Sequence, residues 1–139
     1  MKKRRFRTVR CIIRREDRFL LVIHRGARTM SRRAWGLPGG RIERHEDFED
    51  TARREIREEL SIDLGELREV GDYRYKGALH RVMATDFDGN VIEFQRKELF
   101  KIGWKTLDEI AALAAADRLH TGFEHEAIAD FLALLSGVE

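Results

Sequence analysis

At 139 residues the chain is long enough for one domain whose core needs no covalent staples. Charged residues make up 37 % of it yet nearly cancel, to a net charge of +2, so it lacks the basic excess of a dedicated nucleic-acid binder. Its single cysteine, Cys11, excludes an internal disulfide and fits a reducing compartment.

The basic opening Met1–Arg5 is not followed by an uninterrupted apolar run, because Arg10, Arg14 and Arg15 break it. No signal peptide or membrane span is expected, and the cytoplasm is the default location. Residues 1–6 read as a flexible basic tail on a single domain spanning 1–139. Thr8–Arg14 and Arg18–His24 are rich in Val, Ile and Leu and predict two strands about a turn at Glu16–Asp17. Phe19–Ile23 is apolar on both faces, which predicts a central strand. Cys11 lies in an apolar run and reads as a buried small hydrophobe. Arg25–Ala34 reads as a polar loop in which Arg25, Arg28, Arg32 and Arg33 are candidate phosphate ligands, set against a plain solvated loop.

Pro38 before Gly39–Gly40 predicts a sharp turn. A helix follows from Asp47 to Leu60, with Asp47 as its N-cap and Asp50 three residues on. Glu66–Tyr75 and Leu79–Phe87 alternate as strands around Lys76–Gly77, and Asp88–Gly89–Asn90 is a turn signal. Val91–Phe94 and Glu98–Trp104 are further, less regular strand candidates. Thr106 caps a helix running to about Arg118, and Thr121–Gly122 separates it from another, Glu124–Leu135, whose stripe is Ala127, Ile128, Phe131, Leu132 and Leu135. Strands first, one helix in the middle and two at the end predict an α+β layered domain.

The helix from Asp47 carries the chemistry. Glu55, Glu58 and Glu59 fall within an arc of roughly 100°, beside the apolar stripe Ala52, Ile56 and Leu60. The acidic face therefore borders the core, while Arg53 and Arg57 point elsewhere. Carboxylates crowded in this way repel one another, and a hard divalent cation, Mg²⁺ above all, reverses that repulsion.

From Gly40 to Ile62 the chain reads Gly, five residues, Glu46, seven residues, then Arg54-Glu55-Ile56-Arg57-Glu58-Glu59-Leu60-Ser61-Ile62. This closely resembles the Nudix hydrolase signature, and Trp35-Gly36-Leu37-Pro38-Gly39 resembles its approach. Only Ser61 departs, standing where the family has glycine. The resemblance implies an α/β/α sandwich around a mixed sheet and Mg²⁺-dependent hydrolysis of a diphosphate linkage in a nucleoside di- or triphosphate derivative, with Mn²⁺ as a substitute ion. It implies metal ligation by Glu55, Glu58, Glu59 and the Gly39 carbonyl, with Arg54 orienting a carboxylate and Gly40 and Glu46 supporting. Glu55 or Glu59 would be the general base.

Nudix enzymes commonly add an acidic ligand before a downstream tryptophan. Glu98 and Glu93 compete for that place, and Glu98 is chosen for its spacing from Trp104. Tyr73, Tyr75 and Phe123 are candidates to stack on a base, each also a natural core residue. The expected partner is a small nucleotide, of MutT-like type, with a homodimer as the one protein partner admitted. The contrasting reading is a Nudix-like module that binds nucleotide or protein without turnover.

Overall fold

The computed structural model describes residues 6–137. Strands β1 (Phe6–Arg15), β2 (Arg18–His24), β3 (Gly39–Arg41), β4 (Arg68–Tyr75), β5 (Ala78–Asp86) and β6 (Leu99–Thr106) form one mixed sheet. Helices α1 (Ala27–Arg32), α2 (Phe48–Leu60), α3 (Leu107–Ala115) and α4 (Glu124–Leu135) complete the described elements. The sheet order is β4-β5-β1-β2-β6, with β3 joined to β1; only β1 and β5 run parallel. Alternation along β1 and β2 gives the sheet two apolar faces. Val9, Cys11, Ile13, Leu20 and Val22 pack with Ala52, Ile56 and Leu60 of α2. Ile12, Phe19, Leu21 and Ile23 pack with Ile110 of α3 and with Ala127, Ile128 and Phe131 of α4. The result is the expected α+β architecture with helices on both faces, β2 is interior, and Cys11 is buried. Among the described residues no helix is long and apolar enough to cross a membrane.

The structure corrects several expectations. Arg25–Ala34 contains the short helix α1. Val91–Phe94 has no strand pairing, and the last strand begins at Leu99. Phe6 is already in β1 and meets Phe48 edge-on at 4.9 Å, so it is no tail; residues 1–5 lie outside the described chain. Leu135, at the end of α4, is exposed.

β3 went unforeseen, and it organises the centre. β1 and β2 pair at their hairpin end, at Arg14↔Phe19 and Arg15↔Arg18. The segment 36–41 inserts between them beyond that point. On one side Gly36 and Val22 exchange hydrogen bonds of 2.8 and 2.9 Å; on the other Cys11 N–H donates to the Pro38 carbonyl at 2.8 Å. Gly39–Arg41 then pairs antiparallel with Thr8–Arg10. Gly39 has φ +139°, and a Cβ there would strike the Val9 carbonyl, so only glycine fits.

α2 is anchored at both ends. Asp47 and Asp50 form a reciprocal capping box, which satisfies donors that the first turn leaves open. Just before it, Glu46 accepts from Arg54 Nε at 2.5 Å and Nη2 at 2.9 Å, from Glu43 N–H at 3.0 Å and from Thr51 Oγ1 at 2.9 Å. These bonds hold the Glu46 carboxyl down at about 2. At the exit Ser61 is left-handed, φ 57° and ψ 35°, and its N–H caps the Arg57 carbonyl.

Two outcomes follow from these ends. Ser61→Gly should raise thermal stability by up to about 1 kcal/mol, since glycine adopts this conformation without penalty, and should leave metal affinity unchanged; calorimetry and a metal titration check both. Glu46→Gln should cost roughly 1–2 kcal/mol at neutral pH, solvent at the rim screening the pair. A carboxylate held below its ordinary value contributes stability above about pH 5 and loses it as pH falls towards 2. The difference in melting temperature between wild type and Glu46→Gln should therefore be largest above pH 5 and close as pH approaches 2.

Candidate active site

Glu55 and Glu59 sit four residues apart on α2, and Glu98 arrives just before β6. Oxygens from these three carboxylates lie within 4.8 Å of one another. Glu98 is brought there by the contact between α2 and the loop before β6: Gln95 N–H donates to the Glu59 carbonyl at 2.8 Å, and Gln95 O accepts from Glu98 and Leu99 N–H. Arg25 N–H in turn holds the Glu98 carbonyl at 2.7 Å. Glu93 is exposed in the preceding loop and does not join the cluster.

Glu59 is only 2 % exposed, and its carboxylate accepts the Gly39 N–H at 3.0 Å. Burial pushes its carboxyl up to about 8; Arg10 and the Gly39 N–H oppose that rise, and Glu55 and Glu98 add to it. Burial also raises Glu55, against the pull of Arg54. Gly40 lies so near Glu55 that a Cβ would collide with the carboxylate. The wedge thus sets both acids, one through a hydrogen bond and one through the absence of a side chain. Hard oxygen donors held close together, with one buried where a negative charge is costly, suit a divalent cation.

Glu58 turns away from this group. It is exposed and receives Arg54 Nη1 at 2.9 Å, while the same guanidinium reaches Glu55 at 3.0 Å, Glu46, and the Arg41 carbonyl at 3.0 Å. Arg54 is therefore a hub that fixes three carboxylates around one planar cation, and its own pKa is raised by them. The Gly39 carbonyl accepts Arg10 Nη1 at 3.1 Å.

Beside the cluster opens a cleft of about 410 Å³. Arg7, Thr8 and Arg10 of β1 and Gly40 and Arg41 of β3 form one side; Tyr75, Lys76 and His80 from the β4–β5 hairpin, with His120 and Thr121, form the other. Arg10 also lies 3.1 Å from His24 Nε2. Burial, then the Arg10 charge, push His24 down to about 3 and His120 down to about 4, so both are neutral. The 3.8 Å approach of His24 Nδ1 to Glu59 is accordingly a contact with a neutral ring and not an ion pair.

Of the aromatic candidates only Tyr75 lines this cleft. Tyr73 and Phe123 are buried and stacked on each other at 5.2 Å, and the Tyr73 hydroxyl donates to Asp130 at 2.5 Å. The four loop arginines also lie elsewhere: Arg25 bonds the Arg96 carbonyl and covers Phe100, Arg32 bonds Asp117, Arg33 is the left-handed end of α1, and Arg28 is exposed. The cleft cations Arg7, Arg10, Arg41 and Lys76 were not singled out from sequence. One signal was available, a charged Arg10 between Val9 and Cys11 in an otherwise apolar strand.

Comparison with known proteins agrees with this geometry. The NUDIX domain family model matches residues 4–125. A NUDIX hydrolase from Nitrosomonas europaea superposes with a TM-score of 0.67 at 24 % identity, covering 91 % of this chain and 87 % of that one. A MutT NUDIX hydrolase from Burkholderia pseudomallei gives 0.62 at 26 % identity, covering 73 % and 83 %. The NUDIX domain of Shewanella oneidensis NrtR, in complex with ADP ribose, gives 0.74 at 16 % identity, covering 94 % and 88 %. Among curated proteins no sequence matches. With a match over most of its length and a fold shared with these structures, the chain belongs to the Nudix hydrolase family.

Proposed function

We propose that the protein hydrolyses a diphosphate linkage in a nucleoside di- or triphosphate derivative, by attack of water on phosphorus, with Mg²⁺ as the ion and Mn²⁺ as its substitute. The observation that carries this reading is the convergence of Glu55, Glu59 and Glu98 within 4.8 Å beside a cationic cleft. Glu55, Glu59 and Glu98 would hold the ion in this reading, with the Gly39 carbonyl as a further oxygen; Glu58, paired outward with Arg54, would have to turn inward to join them. A divalent ion there supplies neutralisation of phosphate charge and a more acidic water. Phosphoryl transfer asks the protein mainly for position and charge, and the residues meet that demand. Arg54 keeps Glu55 oriented, and Glu46 keeps Arg54 oriented. Glu55 or Glu59 takes the proton from the attacking water. Arg10 and Lys76 draw the anionic substrate in. The ADP ribose bound by the NrtR domain and the MutT name of another neighbour suit the same broad substrate class, a phosphorylated nucleoside.

The direct test is incubation with nucleoside di- and triphosphates, sugar nucleotides, dinucleoside polyphosphates and capped RNA, with products identified by mass. Release of phosphate or nucleotide with Mg²⁺, abolished by EDTA, is the expected result. Binding without release would make the protein a nucleotide-binding module. Glu59→Gln should abolish metal-dependent hydrolysis with an unchanged circular dichroism spectrum, because a neutral amide is a poor substitute for a carboxylate at a hard ion; activity within a few-fold of wild type would remove Glu59 from the site. Glu98→Gln should weaken the Mg²⁺ or Mn²⁺ dependence, or lower kcat, far more than Glu93→Gln. The reverse order would move the ligand to Glu93.

A further inference from the structure

The cleft has an unusual balance of groups. Among the described residues four cations, Arg7, Arg10, Arg41 and Lys76, face it, and no carboxylate or carboxamide does. Among the described residues none of the four is in an ion pair. Like charges gathered on a concave wall repel, and the field they make favours an anion between them.

The neutral groups of the cleft are largely committed. His80 Nε2 lies 3.3 Å from the Tyr75 carbonyl, so it carries the ring proton, and Nδ1 then accepts from Thr8 Oγ1 at 2.6 Å. The Thr121 and Gly122 N–H groups both donate to the buried Glu124 carboxylate, each at 2.9 Å. Reading an adenine or cytosine edge takes groups of the kind Asn, Gln, Asp or Glu supply, and among the described residues the wall has none; its arginines and lysine, which can pair with guanine, suit a phosphate as well. What it offers a base is the rings of Tyr75 and His120, which stack on any of them.

Arg10 stands where the cleft meets the acids. Its Nη1 donates to the Gly39 carbonyl, the peptide next to the Glu59-bound N–H, while its buried Nε has no partner. A buried guanidinium N–H left open is costly and calls for an acceptor.

The geometry points to Arg10 as the specificity-determining residue of the cleft. Its guanidinium takes a phosphate group of the substrate next to the carboxylate cluster, and the cleft selects substrates by phosphate charge and not by base. This rests on the hydrolase reading above, and it makes its own demands on the wall of the cleft.

The test has two arms. In the first, kcat/KM is measured for ATP, GTP, CTP, UTP and the matching diphosphates. The four triphosphates should agree within about tenfold, and each diphosphate should fall below its triphosphate; discrimination of 100-fold or more among the bases would overturn the proposal. In the second, inorganic tripolyphosphate is titrated calorimetrically in EDTA into wild type, Arg10→Gln and Arg10→Lys. Wild type should bind, Arg10→Gln should bind about tenfold or more weakly, and Arg10→Lys should fall between. In turnover Arg10→Gln should raise KM by more than it lowers kcat. Unchanged tripolyphosphate affinity and unchanged KM in a folded Arg10→Gln would overturn the proposal. Should that variant not fold, Arg10→Lys decides by the same readout, with affinity equal to wild type counting against it. Tripolyphosphate binding without turnover of any nucleotide would end the hydrolase reading and keep the anion site, so the two failures are distinguishable.

Discussion

One hydrogen bond, from the Gly39 N–H to the Glu59 carboxylate, joins the two halves on which the site depends. Glu59 lies on the buried side of α2, and Gly39 lies in the segment inserted between β1 and β2. Whenever Glu59 is ionised it needs such a donor, because an unpaired charge out of water is among the most costly things a fold can hold. Gly39 in turn holds that place only by having no side chain. Helix, wedge and sheet are therefore fixed by one another, and the acids are set by the same contacts that set the core.

Around that bond the charges are arranged in layers. Arg54 lies on the solvent side of the cluster and gathers Glu46, Glu55 and Glu58; Arg10 lies on the cleft side and faces Glu59 through the Gly39 peptide. Neither arginine duplicates the other. The first is a structural counter-ion saturated by its carboxylates, and the second retains an open N–H. Such an arrangement keeps the three clustered acids close, and burial above all raises Glu59 despite Arg10 and the Gly39 N–H.

The long periodic elements were legible in the sequence because their patterns are local. β2 and α4 run over the residues expected, and α2 begins at its capping box and ends at Ser61. β3 was hidden because Gly-Gly-Arg has no strand propensity, and its pairing is dictated by the gap that β1 and β2 leave. α1 was hidden by its length and its arginines. In the site, angular position on a helix brought Glu58 and Glu59 equally close to Glu55. What separates them is tertiary: Arg54 draws Glu58 outward, while the Gly39 N–H holds Glu59 inward. Glu98 could be chosen from its place before Trp104. Apart from Arg10, the cleft cations could not be found from local pattern, because Arg7, Arg41 and Lys76 are far apart in the chain and meet only through β1–β3 and β1–β5 pairing.

One wall of the cleft and the acidic cluster differ in where the chain keeps them. Glu55 and Glu59 ride on α2, an element bound into the core, and Glu98 stands just before β6, whereas Lys76 sits in the β4–β5 turn and His120 and Thr121 in the link between α3 and α4. Turns and links accept exchange and insertion that a packed helix does not. Descendants of this chain could therefore alter that wall by changing a hairpin tip and one helix connection, with Arg10 and the reacting groups inherited untouched.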